Sequence, residues 1–152
     1  MKRVGLWMAI GIGIFISGGL LTVEPRYAEG KEQMCTVKTL KGRYLFALNS
    51  TLLPPAFGVT EPTPSSAAGF HVFNGDGTGT DVITGRVGGQ IVLENVVSPI
   101  SYSVNADCTG SLTVVGGPTF GLFIAPDGES LASITTDPGG TGASVHRRVS
   151  RR

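Results

Sequence analysis

The chain has 152 residues, 23 of them glycine, and its 12 basic side chains nearly balance its 11 acidic ones. Beyond the first 30 residues about 120 remain, which corresponds to one domain of ordinary size. Residues 31–146 hold five basic and nine acidic side chains, and four arginines follow within residues 147–152. Because no basic surface interleaved with aromatic residues results, we expect no nucleic-acid partner.

The first 30 residues predict a signal peptide with an apolar helix. Lys2 and Arg3 form a positive start, residues 4–23 carry no charge, and the small-x-small triplet Ala-Glu-Gly occupies 28–30. Cleavage after Ala28 or Gly30 would leave a secreted or periplasmic protein without a stable membrane partner. An uncleaved membrane anchor is the alternative, because 20 apolar residues are long enough to span a bilayer.

The two cysteines of the chain predict a disulfide. In an oxidising compartment an even number of cysteines is most simply paired, and Cys35 with Cys108 is the one pairing available. A reactive thiol or a metal pair is the alternative, but the chain has no Cys-x-x-Cys, and His71 and His146 have no metal-ligand spacing to either cysteine. The sequence therefore predicts no metal site and no cofactor.

Residues 31–42 form an N-terminal segment, after which short β-type runs alternate with turn residues at the spacing typical of a sandwich or barrel. A Pro/Ser-rich stretch at 60–66 predicts a long irregular loop, and Ser98 with Pro99 predicts a turn. The predicted strands are 43–53, 68–73, 79–87, 90–96, 99–106, 110–116, 119–125, 129–136 and 142–149. Because a sheet of eight or nine twisted strands tends to close, we expect an all-β, single antiparallel eight-stranded barrel over 43–149, followed by a basic tail at 150–152.

Two segments rich in Asp, Asn, Gly and Thr are expected to be tight turns. Residues 74–81 alternate oxygen-bearing side chains with glycine, which is compatible with a calcium ion or with a hairpin turn. A hairpin is favoured because Gly85 stands where an EF-hand needs Glu. At 107–110 we expect Asp107 and Thr109 to bond to nearby backbone N–H groups, with an acid in a site as the alternative.

Four motifs in this chain support a family resemblance. They are Cys35 with Thr-Leu-Lys-Gly-Arg-Tyr-Leu-Phe at 39–46, Phe-Asn-Gly-Asp-Gly at 73–77, Tyr-Ser-Val-Asn-Ala-Asp-Cys-Thr-Gly at 102–110, and Ile-Thr-Thr-Asp-Pro-Gly at 134–139 with Arg147 or Arg148. With these motifs the chain resembles a group of small exported bacterial proteins of unassigned function. More remotely it is similar to the eight-stranded barrels of allene oxide cyclase and the lipocalins. The resemblance implies an exported barrel, and it places no cyclase catalytic residue on this sequence.

Four side chains are candidates for binding a ligand inside such a barrel. Tyr44 and Tyr102 offer hydroxyl groups, His71 lies within an apolar run, and Glu94 interrupts an apolar strand, where an inward carboxylate would serve as an acid or base. Each has a structural alternative: core packing for the tyrosines, a sheet surface for His71 and outward solvation for Glu94.

The function expected from these features is non-enzymatic binding of a small apolar or amphipathic molecule in the barrel. A first alternative is an envelope or surface protein that acts through protein contacts. A second alternative is a cyclase or isomerase that uses a carboxylate or tyrosine in the cavity. The sequence contains no Gly-x-Ser-x-Gly elbow, phosphate loop or His-Glu-x-x-His motif, so no catalytic residue is predicted.

Overall fold

The structure is a computed structural model, and it describes residues 34–151. The predicted signal peptide at 1–30, the first residues of the N-terminal segment and the last residue of the basic tail lie outside this range. Within residues 34–151 no helix has the length and hydropathy needed to cross a membrane.

Eight antiparallel strands form a closed barrel in chain order, in which the last strand pairs with the first. The strands are β1 (Lys41–Leu52), β2 (Thr63–Asn74), β3 (Thr78–Val87), β4 (Gln90–Val104), β5 (Thr109–Val114), β6 (Thr119–Ile124), β7 (Ser130–Thr135) and β8 (Gly140–Ser150). Short 3₁₀ turns lie at Val37–Thr39 and Ala56–Gly58. Burial alternates along β1, since Tyr44 and Phe46 are buried while Arg43 and Leu45 are exposed. The predicted closed antiparallel barrel of eight strands is confirmed.

Two of the predicted connections are wrong. β2 begins at Thr63, so the second half of the predicted loop at 60–66 is strand, with Pro64 opposite Thr51. β4 runs through Ser98 and Pro99, so the predicted strands 90–96 and 99–106 are one. The carbonyl of Pro99 accepts the N–H of Val115, one position beyond the end of β5. A residue's N–H and C=O point to the same side of a strand, so an N–H at position 99 would also face β5, at the end of this ladder. A missing hydrogen bond is tolerated there.

The connections between strands lie alternately at two ends of the barrel. One end, here called the closed end, carries the β2–β3, β4–β5 and β6–β7 turns together with residues 34–40. Leu40 and Cys35 are buried in this segment, and Cys35 is disulfide-bonded to Cys108 in the β4–β5 turn. The predicted disulfide is confirmed, and it indicates an oxidising compartment. The opposite end, here called the open end, carries the four remaining connections.

A continuous apolar core fills the closed half of the barrel. Its inward side chains are large, and they are Leu40, Tyr44, Phe73, Ile100, Tyr102, Leu112, Leu122, Ile124 and Leu131. The ring of Phe73 packs edge-on against Tyr44 and Tyr102, with centroids 5.2 and 4.8 Å away. Full burial of one such side chain stabilises a fold by about 1.5–3 kcal/mol, so this half of the barrel contributes most of the hydrophobic stability.

Candidate functional site

The open half of the barrel contains a cavity instead of a core. A cavity of about 360 Å³ is lined mainly by apolar side chains, among them Leu48, Leu52, Ala67, Ile83, Leu93 and Phe120. A second cavity of about 270 Å³, here called the inner cavity, shares Ile83, Leu93 and Phe120 with the first, here called the outer cavity. The inner cavity extends to His71 and Asp81. Volumes of this size lie at the lower end of the range for small-molecule sites.

The cavity exists because small residues occupy the inward positions of the strands near the open end. Ser50, Ser65, Ala67 and Gly85 line it, at positions that alternate with outward side chains along β1, β2 and β3. Further along the same strands the inward positions carry Tyr44 and Phe73, which fill the closed half. Small residues are therefore interspersed with larger ones such as Leu48 and Leu52 at the inward positions near the open end, and space is left between them.

A polar pair lies on the inner wall between the core and the cavity. His71 on β2 is directly opposite Asp81 on β3, and its Nε2 atom lies 3.1 Å from Oδ1 of Asp81. The two atoms are close enough for an ion pair, but their orientation is not that of a hydrogen bond, and neither Asp81 Oδ1 nor His71 Nδ1 has a hydrogen-bond partner within residues 34–151. An unpartnered buried polar atom costs about 1–3 kcal/mol, so these atoms call for an explanation.

His146 forms a second buried polar cluster beside this pair. Its Nε2 atom lies 2.8 Å from Oγ of Ser144 and 3.0 Å from Oγ of Ser133. Burial, followed by the charge of His71, lowers the pKa of His146 to about 3. The neutral ring is therefore a weak base, and its Nδ1 has no hydrogen-bond partner in the part of the chain that the structure describes. The cluster thus lacks the orienting carboxylate of a Ser-His-Asp triad.

Phe46 connects the two histidines through ring contacts. Its ring stacks on His71 and His146 at centroid distances of 4.5 and 5.2 Å. It also lines the inner cavity together with His71. Phe46 thus holds the imidazole of His71 in one orientation at the cavity wall.

The two predicted tyrosines lie in the core of the closed end and do not line either cavity described above. The hydroxyl of Tyr44 donates a hydrogen bond to the carbonyl of Gly128. The hydroxyl of Tyr102 accepts the N–H of Gly75 and donates to the carbonyl of Leu40, both at 2.9 Å. Burial raises the pKa of both phenols. These contacts match the structural alternative, in which the tyrosines pack the core.

Glu94 lies outside the barrel interior. It is exposed next to Asn95, which has a positive φ of 50° at an irregularity in the β3–β4 pairing. The hydroxyl of Thr84 accepts the N–H of Asn95 at 3.1 Å, which fixes this bulge. Of the four predicted ligand-binding residues, His71 alone lines the cavity. Glu94, Tyr102 and His71 therefore do not assemble the acid-base site that the cyclase alternative requires.

Sequence reasoning assigned Asp81 to the segment 74–81 and Ser98 to a turn, and it did not place either residue in a cavity. Asp81 lies between Gly79 and Ile83 at the inward positions of β3, and Ser98 is opposite it on β4. The tight turn after Asn74 sets the register that brings Asp81 opposite His71. Combining the alternation of β3 with this turn would have identified the pair from sequence.

The two predicted turns share one hydrogen-bonding pattern. Asp76 accepts the backbone N–H and the hydroxyl of Thr78 at 2.9 and 2.7 Å, and Asp107 accepts the same groups of Thr109 at 3.0 and 2.7 Å. These bonds lower the pKa of both carboxyl groups. The predicted bond to a backbone N–H is confirmed for Asp107, whereas the hydroxyl of Thr109 bonds to side chains, donating to Asp107 and accepting from Asn105. Among residues 34–151 no group of three or more His, Cys, Asp and Glu side chains is placed to hold a metal ion.

No family model and no curated protein matches this chain. The resemblance to small exported barrels stays a prediction, and the function is argued from the cavity.

Proposed function

We propose that this protein binds one small apolar or amphipathic molecule in the open half of its barrel. The observation that carries the proposal is the cavity of about 360 Å³, lined by apolar side chains such as Leu48 and Phe120. Apolar cavities with a few polar groups are the usual sites for small ligands. The inner cavity supplies those polar groups in His71 and Asp81.

We further propose that the protein is secreted or periplasmic and belongs with the exported barrels that it resembles. The disulfide between Cys35 and Cys108 supports an oxidising compartment, and the charged start with its uncharged run at 4–23 supports cleavable export. Antiparallel barrels of eight strands have an interior large enough for one small ligand, as in lipocalins. This agrees with the observed size of the cavity.

A pair of substitutions on β2 tests the binding proposal. Ala67 lines the cavity, and the adjacent Ala68 is exposed on the outer surface. The Ala67→Phe variant fills the cavity, whereas Ala68→Phe adds the same side chain outside it. The neutral dye N-phenyl-1-naphthylamine, which fluoresces in apolar surroundings, is titrated into the full-length chain purified from the compartment in which it accumulates.

We expect dye fluorescence to rise with the wild type and with Ala68→Phe, and the affinity of Ala67→Phe to fall at least about tenfold, because the lost apolar contact area is worth more than 1.4 kcal/mol. Unfolding curves confirm that both variants are folded. Equal dye binding by the two variants, or no binding by the wild type, would remove the proposal.

A second candidate function, contact with another protein, is favoured by an apolar outer surface. Phe123, Ala132, Val145 and Ala47 lie side by side across β6, β7, β8 and β1. Phe123 and Val145 are 59% and 71% exposed, and apolar patches of this kind are typical of interaction sites. If this surface mediates contacts, the wild type will self-associate or bind envelope fractions. The Val145→Lys variant will then have a lower sedimentation coefficient than the wild type, or will bind less to those fractions. A wild type that is monomeric and binds no such fraction would argue against contact.

A further inference from the structure

The polar side chains that line the inner cavity lie side by side on neighbouring strands. Asp81 and His71, which are 2% and 4% exposed, line it together with Ser98. The rest of its wall includes the apolar side chains of Phe46, Ile83, Leu93, Val96, Val114 and Phe120. A molecule that fills this space therefore meets hydrogen-bonding groups at one end and hydrocarbon along its length.

The carboxylate of Asp81 specifies what the ligand must supply. Asp81 lines this cavity, its Oδ1 accepts no hydrogen bond from the described chain although Nε2 of His71 lies 3.1 Å away, and carboxylate oxygens accept hydrogen bonds. The ligand must therefore bring a donor. The hydroxyl of Ser98, on the strand next to Asp81, can donate to or accept from the same ligand group.

The position of Asp81 on the cavity wall disfavours a carboxylate head group on the ligand. His71 is already beside Asp81, and Arg86, on the lining of the outer cavity, is exposed at the open end. A ligand carboxylate near Asp81 would place two like charges together in a buried site. A ligand ammonium would have to lose its water to pair with Asp81, which already lies beside His71, and the desolvation cost of a buried ion pair can exceed the gain from pairing.

We infer that the ligand is an uncharged alcohol or phenol whose hydroxyl donates to the carboxylate of Asp81. Its apolar body lies along Ile83, Leu93 and Phe120, which line both cavities, and points towards the open end. This inference rests on the proposed function, because it names the ligand class of the same cavity.

Three naphthalene derivatives test the ligand class in the full-length chain. 2-Naphthol carries a hydroxyl donor, 2-methoxynaphthalene replaces that hydrogen with methyl, and 2-naphthoate carries a negative charge. Each competes with N-phenyl-1-naphthylamine, and the concentration that displaces half of the dye is measured. We expect 2-naphthol to displace the dye at a concentration roughly tenfold lower than the other two compounds, which is the usual effect of a hydrogen bond to a charged group.

The Asp81→Asn variant tests whether the preference for 2-naphthol depends on the carboxylate of Asp81. Its amide can donate to a carboxylate, so we expect the preference for 2-naphthol over 2-naphthoate to fall on the order of tenfold. The control is Glu94→Gln, the same change at an exposed position, which should keep the wild-type order. The methoxy comparison needs no substitution, so it tests the donor even if Asp81→Asn does not fold.

The outcomes separate the two proposals. Equal displacement by all three compounds, or tighter binding of 2-naphthoate, overturns the ligand class and leaves cavity binding intact. An unchanged preference in a folded Asp81→Asn variant also overturns it. Failure of the dye itself to bind the wild type overturns the proposed function and the ligand class together.

Discussion

The strands alternate inward and outward residues at both ends of this barrel, but the interior is packed at one end and contains a cavity at the other. At the closed end the inward residues are large, and hydroxyl groups and a disulfide tie the turns to the barrel. Arg148, for example, donates from Nε to the carbonyl of Gly128, which also accepts the hydroxyl of Tyr44. At the open end several inward residues, including Ser50, Ala67 and Gly85, are small, and a cavity is left. Residue size at inward positions thus separates the part that stabilises the fold from the part that can bind.

The connections between strands also differ between the two ends. Each closed-end turn contains an aspartate, Asp76, Asp107 or Asp127, whose carboxylate accepts a backbone N–H two residues later. At the open end Phe57 is 72% exposed with a φ of 53°, although its ring borders both cavities. We therefore expect changes at the closed end to alter stability and changes at the open end to alter binding.

Removal of the disulfide should have the largest effect on this comparison. With Cys35→Ser and Cys108→Ser together, we expect the free energy of unfolding to fall by about 4 kcal/mol, because the bond closes a loop with a sequence separation of 73. Urea titration of oxidised wild type and of the double variant measures the loss, and reduced wild type is the control. A difference below about 1 kcal/mol would contradict a stabilising role for the closed end.

Acid should produce the next largest effect, through His146 at the boundary between core and cavity. The folded pKa of His146 is lowered to about 3, so between its ordinary value of 6.5 and that value the unfolded chain binds a proton that the folded chain does not. Stability is therefore present above pH 6.5 and lost as the pH falls. From pH 6.5 to 4.5 we expect a loss of about 2 kcal/mol.

The His146→Gln variant isolates this contribution, since the amide retains hydrogen bonding near Ser133 and Ser144 without titrating. We expect its unfolding free energy to change less with pH than that of the wild type. Identical pH profiles for the two proteins would show that His146 is not held neutral by the fold.

Two glycine substitutions compare the ends at the level of one methyl group. A Cβ atom at Gly110, in β5 near the closed end, would lie 2.2 Å from the carbonyl oxygen of Ser103, whereas at Gly85 it would lie 3.4 Å from Cδ1 of Leu93 in the cavity. We expect Gly110→Ala to reduce the unfolding free energy by about 2 kcal/mol, because backbone must move, and Gly85→Ala to change it by less than about 1 kcal/mol. Thermal unfolding of both variants decides this, and a larger loss for Gly85→Ala would reverse the comparison.

The smallest effect on stability is expected at Phe57. Because its side chain is mostly exposed, Phe57→Ala should change the unfolding free energy by about 0.5 kcal/mol or less. Dye dissociation in stopped-flow measurements should become faster, since the ring borders both cavities. Phe123→Ala, which removes an exposed phenylalanine from the outer wall, is the control and should leave the dissociation rate unchanged.

The architecture could be predicted because the sequence signals for it are local. Alternation around Tyr102, the turn residues at 74–78 and the presence of two cysteines led to the barrel, a hairpin and the disulfide. The continuity of β4 through Pro99 was missed because it depends on where the neighbouring strand ends. That information is not local to the proline.

The candidate site was predicted less well because it depends on register around the barrel. His71 was identified, but its partner Asp81 is in the next strand. Tyr44 and Tyr102 point into the barrel, but their hydroxyls bond to turns that are distant in sequence and are not offered to a ligand. Glu94 is exposed and alternates with the inward Leu93, beside the bulge at Asn95, where φ is positive for a residue that is not glycine.

The pairing of β1 with β8 has a consequence for how the chain reaches this structure. These strands begin and end the barrel, so the sheet cannot close until β8 is available. Before that, β1 presents an unpaired edge, and contacts between residues so far apart in sequence form slowly. A chain truncated before Gly140 would keep that open edge permanently, and open strand edges promote aggregation.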